Sequence, residues 1–440
     1  MTDAVPKRSA AWKWYVCALL GLATTINYLD RQTLSTVSKR IIDEFQLTNE
    51  QYGRLELGFG LAFAVGTSTF GFIADRTSIR WLYPGVLVLW SMMGFFTGLV
   101  ESYAGLLLCR TLLGLFEAGH WPCALKTTQW LLKPKDRTMG NSILQNGTSI
   151  ASIATPLLMM ATLTPQPGSW RPLFQIIGLV GIIWALVWLL SVRASDLPLA
   201  EADCERPAGP LGKTPHDDAG ADASFLSVVL SRRFAVLVAI VVGINVCWQI
   251  LRAWLPLYLQ KSLGYSESRA FLLTSLYFAA TGAGCICAGV ATLRLHRSGM
   301  SAGRARVLVF FCCALLTTLA GLLPYLPDPG KVAALMAIGF GALGLFPCYY
   351  AITQELTVRH QGKLAGVLGS LAWIVSSPLQ PAFGWLVDVT HSYDLGLTLA
   401  GEAPLLSFCV LYLFWGAEPA AQRESQPVET VECVADAASP

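Results

Sequence analysis

Charged residues fall well inside stretches otherwise apolar enough to cross a bilayer, among them Asp30, Arg31, Arg110, Glu117, Lys126 and Arg252. An ionisable group at that depth is costly and faces a partner or a cavity. Counted from Lys13 along a helix, Asp30 lies roughly 25 Å in, past the midplane and still at membrane depth. Arg110 and Glu117 are two turns apart on one helix face, about 10 Å along the axis. Neither can satisfy the other at that separation, so each needs a partner from another helix, and Asp30 is the natural one for Arg110. Acids and arginines held this way can exchange protons and bind an anion. They suit no bond-making reaction. No nucleophile is paired with a base, no G-x-x-x-x-G-K-[ST] phosphate loop occurs, and no His/Cys/Asp cluster has metal-ligand spacing.

Plainer readings stand beside these. Asp30 and Arg31 would also suit an outer helix end, snorkelling, and the charges together could form a purely structural ion-pair lattice. His120, one turn from Glu117, reads as a satisfied interior histidine, with proton relay as the lesser role. Arg252 comes late in its span, before Trp254-Leu255-Pro256-Leu257-Tyr258, and is either an outer-interface marker or an anion ligand. Gln249, one turn earlier, is better placed for a neutral hydrogen-bonding contact with a substrate. Lys126 reads as snorkelling at an inner helix end, and Glu56 as lying in the outer interface. The 12 cysteines are scattered; Cys285-Ile286-Cys287 and the neighbours Cys312 and Cys313 have no second pair at zinc spacing and read as small apolar helix residues.

The elements that must position these groups are membrane helices. The chain is 54% hydrophobic and 13% charged, whereas a soluble domain carries roughly 25% charge. Twelve spans can be read, near 14–38, 53–73, 81–100, 105–130, 139–162, 173–192, 234–258, 269–292, 307–325, 332–354, 364–387 and 395–415. The expected fold is an all-α membrane protein of two pseudo-symmetric six-helix halves, 1–194 and 232–416. A Pro/Gly-rich linker at 195–231 joins them, and an acidic, disordered tail follows at 417–440. Basic residues concentrate in one set of loops (Lys7, Arg8, Arg76, Arg80, Lys133, Lys135, Arg137, Arg232, Arg233), which puts both termini inside. No cleavable signal is expected, because Met1 to Lys13 is short and polar and the apolar stretch after it is too long. Asn146-Gly147-Thr148 matches a glycosylation pattern but lies within a span.

The halves are related in sequence. GLFEAGHWPCALKTTQWL at 114–131 aligns with GFGALGLFPCYYAITQEL at 339–356, sharing the glycines, Pro122/Pro347, Cys123/Cys348 and Thr128-Gln129/Thr353-Gln354. Glu117 sits opposite Ala342, so one half alone carries the acid. Gly71…Arg76 and Gly289…Arg294 form a second repeat, again with an acid, Asp75, only in the first copy. A close glycine contact beside a charged loop suits a gate, with Asp75 and Arg76 as its residues, or simple topological anchoring.

These motifs resemble the major facilitator superfamily, and within it the anion:cation symporters that carry hexuronates, aldonates and related anions. The segments that carry the resemblance are Asn27–Gln32 (NYLDRQ), G-x-x-x-D-R at 71–76, R-x-x-L-G-x-x-E-A at 110–118, NGTSIASIATP at 146–156 and WLPLY at 254–258. The resemblance implies alternating access and proton symport, with no cofactor beyond the coupling proton. It implies that Asp30 and Glu117 take up protons, that Arg110 pairs with these acids, and that Arg31 holds the substrate carboxylate beside Tyr28. Asn146 and Ser370 fall on the substrate side of the same resemblance. The chain departs from the pattern at Phe63, where relatives often have tyrosine, and at Ser370 and Trp373 in place of asparagine and glycine. These departures leave room for a smaller or less hydroxylated anion.

The expected function is proton-coupled uptake of an organic monoanion, a sugar acid such as a hexuronate or aldonate, by a monomer in the bacterial inner membrane with no nucleic-acid partner. Two alternatives stay open. One is an anion or sugar-phosphate exchanger using Arg31 and Arg252 as a clamp, without proton drive. The other is a membrane sensor that binds an anion without moving it.

Overall fold

A computed structural model of the chain describes residues 9–132, 134–193, 196–197, 225–354 and 361–415, without the side chains of Asp75 and of some residues near helix ends. Most of the expected linker and all of the expected tail lie outside the described residues. Sixteen α-helices follow in order. The first group is α1 (Ala10–Thr36), α2 (Ser38–Phe45), α3 (Asn49–Arg76), α4 (Ile79–Thr97), α5 (Tyr103–Glu117), α6 (His120–Leu131), α7 (Pro134–Thr162) and α8 (Arg171–Ser191). The second is α9 (Phe225–Val229), α10 (Arg232–Leu257), α11 (Glu267–Arg297), α12 (Ala302–Thr317), α13 (Asp328–Gln354), α14 (Gln361–Ser376), α15 (Leu379–Thr390) and α16 (Asp394–Phe414). No strand occurs among the described residues.

With α5–α6 and α14–α15 each counted as one interrupted helix, and the short α2 and α9 set aside, the expected twelve crossings are present. Eight of them, α3, α4, α8, α10, α11, α12, α13 and α16 with short extensions, are long and apolar enough to span a membrane on length and composition alone. The four that fall short are α1, α5–α6, α7 and α14–α15. These are the polar or broken helices, and α1 and α5 carry Asp30, Arg31, Arg110 and Glu117. A group that is dear to bury lowers the signal by which the span is recognised. The breaks have local causes. Pro122 removes one backbone donor just after the Ala118–Gly119 step, and Pro378 and Pro381 flank the step into α15.

The repeat is visible as packing. A Cβ on Gly114 would collide with the Phe59 backbone of α3, and one on Gly339 would lie 2.6 Å from the Tyr277 ring of α11. The paired glycines therefore bring α5 against α3 and α13 against α11. The match is not complete: α5–α6 breaks after Glu117, whereas α13 runs unbroken past Ala342.

The two helix groups meet along α3 with α14 and α15, and along α7 with α11. On the side where α3 begins and α15 ends, contact is tight. Gly53 and Gly384 lie so close to Gln380 and Asn49 that a methyl group on either would clash. Asp388 of α15 accepts from the Asn49 and Glu50 backbone N–H groups at 3.1 and 2.8 Å, capping α3 from the other half. Arg40 donates to both Glu267 oxygens at 2.6 Å. On the opposite side, which carries the α8–α10 connection, Gly71 of α3 and Gly366 and Gly369 of α14 face open space, with nothing within 4 Å of an added Cβ. The halves are thus closed at one end and, among the described residues, parted at the other.

Candidate functional site

Helical spacing gathers the charges just inside the closed end. On α1, Thr24, Asn27 and Arg31 share one face; on α3, Glu56, Phe59 and Phe63; on α5, Arg110 and Glu117; on α10, Gln249 and Arg252. These faces converge into two layers separated by one ring. In the first layer Arg31 donates to Glu117 at 2.8 Å and, weakly, to the Asn27 side-chain oxygen at 3.4 Å. Its guanidinium is surrounded by the rings of Tyr28, Phe59, Phe63 and Trp373 at 4.8, 4.9, 5.0 and 5.7 Å from their centres. In the second layer Glu56 accepts from Arg110 at 3.3 Å and from Arg252 at 2.5 Å. Arg252 in turn donates from Nε to Gln249 at 2.9 Å. Phe59 belongs to both layers, since Arg110 also lies 4.8 Å from its centre. All six charged side chains, Asp30 included, are buried.

Several expected pairings are corrected by this arrangement. Arg110 does not pair with Asp30. The Gly114–Phe59 contact pulls α5 against α3, and Arg110 then meets Glu56. Glu56 is not in the outer interface: it is 2% exposed, at the heart of the second layer. Arg252 is no interface marker either, because it crosses between the halves to reach Glu56. The signal for Glu56 was present in the sequence, since it begins the same i, i+3, i+7 face as Phe59 and Phe63.

Asp30 stands apart from these pairs. It points away from Arg31, towards α4, where Gly94 leaves room for it; a Cβ there would lie 2.7 Å from an Asp30 oxygen. Neither carboxylate oxygen accepts a hydrogen bond. His120 is held by Thr24 at 3.0 Å and by the Tyr83 hydroxyl at 2.9 Å among aromatic rings, as a satisfied interior histidine would be. Lys126 donates to the Ala74 carbonyl at 2.7 Å.

Of the remaining expected residues, Tyr28 is partly exposed below Arg31, and Gln249 serves Arg252. The Ser370 hydroxyl is buried without a partner, one turn from Trp373. Asn146 is exposed on α7, and no hydrogen bond ties it to the cluster. Arg76 is exposed at the parted end over the Phe72 ring, while the Asp75 side chain lies outside the described residues.

The closed end has its own ion pairs outside the spans. Glu44 of α2 accepts from Arg171 and from the Trp170 indole at 2.6 and 2.7 Å. Partial burial raises the Glu44 pKa, but these hydrogen bonds and the Arg171 charge outweigh it and hold the carboxyl below its ordinary range.

Residues 20–378 match the family model of the Major Facilitator Superfamily. The chain is 25% identical over 403 residues to a hexuronate transporter of Escherichia coli strain K12, covering 88% of this chain and 90% of that protein. It is 26% identical over 432 residues to a probable galactarate/D-glucarate transporter of the same strain, covering 93% and 95%. Among solved structures, a bacterial homologue of the human lysosomal transporter Spinster, inward-facing and unoccupied, superposes with a TM-score of 0.71 at 19% identity, covering 92% of this chain and 96% of that one. A D-xylose-proton symporter gives a TM-score of 0.71 at 14% identity, covering 92% and 98%. The span of the family match and the interrupted twelve-helix fold together place this chain in the Major Facilitator Superfamily, as a transporter and not an enzyme.

Proposed function

We propose that the protein carries an organic monoanion, a sugar acid of the hexuronate or aldonate type, together with protons across the bacterial inner membrane. In this reading both termini are cytoplasmic and the parted end faces the cytoplasm. The observation that carries the reading is the charge balance of the buried cluster. Three arginines (Arg31, Arg110, Arg252) face three acids, of which Glu56 and Glu117 are paired and Asp30 is not.

A carboxylate ionised in apolar surroundings with no donor is strongly disfavoured, so Asp30 holds a proton in this state. The cluster then has one positive charge in excess, which one substrate carboxylate neutralises. When Asp30 is ionised the cluster is neutral and a further anion meets no net attraction. Proton and anion therefore favour the same state, which is the condition for coupling. Arg31, in line with Tyr28 and the parted end, receives the substrate carboxylate. Glu117, displaced from Arg31, becomes the second proton acceptor, and Arg110 lies within electrostatic reach of both acids. The alternative clamp of Arg31 with Arg252 for a phosphorylated sugar is less favoured, because Glu56 already neutralises Arg252.

The test is substrate-induced proton movement in proteoliposomes with glucuronate, galactonate and a sugar phosphate. Asp30→Asn is expected to abolish proton-driven accumulation while leaving counterflow exchange of the same acid intact. Proton-driven accumulation unchanged in Asp30→Asn would remove Asp30 from the mechanism, and exchange of the sugar phosphate alone would replace the reading.

A further inference from the structure

The second layer contains a carboxylate where an arginine clamp would otherwise be open. Arg110 comes from the first half and Arg252 from the second, and both guanidiniums point at one group, Glu56, which gives one oxygen to each. Glu56 does not fill them. Arg110 keeps Nε and Nη1 buried without partners, and Arg252 keeps Nη1. Glu56 meets each guanidinium through one N–H only, so the two forks keep donors that a carboxylate in the place of Glu56 could use. The clamp is also close to the substrate position. Arg31 and Arg110 each lie within 5 Å of the centre of the Phe59 ring, so their guanidiniums are within the span of a short dicarboxylate.

We propose that Glu56 is the specificity-determining residue for substrate charge: it occupies, as a carboxylate tethered to the protein, the place that the second carboxylate of a dianion would take. The inference rests on the monoanion reading above and deepens it. With Glu56 present, the three arginines face two ionised glutamates, and a monocarboxylate at Arg31 balances the one positive charge left over. A dicarboxylate must bring its far carboxylate against Glu56 or displace it, and like charges in a buried site repel strongly. With Glu56 gone, Arg110 and Arg252 are left as uncompensated buried charges, and a free carboxylate of the right reach restores the balance.

Galactonate and galactarate suit the test, because they share their hydroxyl pattern and differ only in whether the far end is a hydroxymethyl group or a carboxylate. The full-length protein in proteoliposomes is expected to take up galactonate and to exclude galactarate by at least tenfold. Glu56→Ala is expected to lose thermal stability, to regain it on saturation with galactarate but not with galactonate, and to reverse the uptake preference. Glu56→Gln, which keeps the shape and one acceptor but removes the charge, serves the same comparison where the alanine variant does not fold. Recovery by both acids alike, or by neither, would mean a merely structural role and would overturn the proposal. So would galactarate uptake by the unaltered protein, and that result would leave the anion-transport reading standing. No uptake of any carboxylate by the unaltered protein would sink that reading, and the proposal with it.

Discussion

Arg31→Lys keeps the charge and removes the geometry, so it separates a positioned carboxylate clamp from a mere positive potential. Arg31 is 3% exposed, bonded to Glu117 at 2.8 Å and enclosed by four rings within 5.7 Å. Lysine can still meet one carboxylate oxygen, but it cannot offer two parallel N–H groups or lie flat on the rings. The lost charge-assisted hydrogen bond is worth about 1.5–3 kcal/mol. Weaker stacking adds about 0.5–1 kcal/mol. The sum, about 2–4 kcal/mol, corresponds to a roughly 30- to 700-fold rise in the half-saturating concentration. The assay is initial uptake against substrate concentration in proteoliposomes, with the melting temperature as a check on folding. A half-saturating concentration within about threefold of the parent, below about 0.7 kcal/mol, would refute Arg31 as the carboxylate ligand.

Gly53→Ala places a methyl group against the Gln380 backbone at the closed end, and overpacking of this kind costs about 1–3 kcal/mol. That is expected to shift the population towards opening at this end by roughly 5- to 150-fold, read as faster labelling of Ser377→Cys, a buried contact of Gly60, by a membrane-impermeant maleimide. Unchanged labelling would show that the contact does not hold the end shut. Glu44 makes a pH-dependent contribution. Its folded pKa is lowered, so its stabilisation is full above the ordinary carboxylate range and fades as pH falls through the folded value. Arg171→Ala removes the main donor, so the variant should melt lower than the parent near neutral pH and the two melting curves should converge as pH falls below the ordinary carboxylate range; a gap that stays constant with pH would assign the loss to packing alone.

Much of this was legible in residue types and spacing. The six-and-six helix plan follows from hydropathy, and the repeat marked the two halves as related, though not that its glycines Gly114 and Gly339 are where α5 meets α3 and α13 meets α11. The residues of the first layer were legible because charges in an apolar helix are rare enough to single out. Their partners were not. Glu56 lies near the start of its span, and depth along a helix does not tell whether the surrounding wall is lipid, water or protein. Nothing local reveals that α10 presents Arg252 to α3, since the residues are 196 positions apart. The Asp30–Arg110 expectation failed for a related reason. Adjacent residues on a helix point about 100° apart, so Asp30 faces α4 while its neighbour Arg31 faces α5.

The one-sided distribution of acids has a mechanical consequence. Asp30, Glu56 and Glu117 all belong to the first half, and at the position equivalent to Glu117 the second half has the fully buried Ala342. Among the described residues the second half brings one cation, Arg252, to the cluster, and its ion-pair partner there is Glu56. In the proposed reading the proton-binding acids are thus confined to one group of helices, while the Glu56–Arg252 pair, which would part on opening of the closed end, lies between the groups. Opening separates Glu56 from Arg252 and leaves both short of a partner unless the first half can re-share its own charges. Arg110, already bound to Glu56, can take it over fully, and the ionised form of Asp30, within electrostatic reach of Arg110, competes for the same guanidinium. In the proposed reading a protonated Asp30 leaves Arg110 free to do so, and this would tie the proton to the motion through one arginine, with no contact between Asp30 and the substrate required.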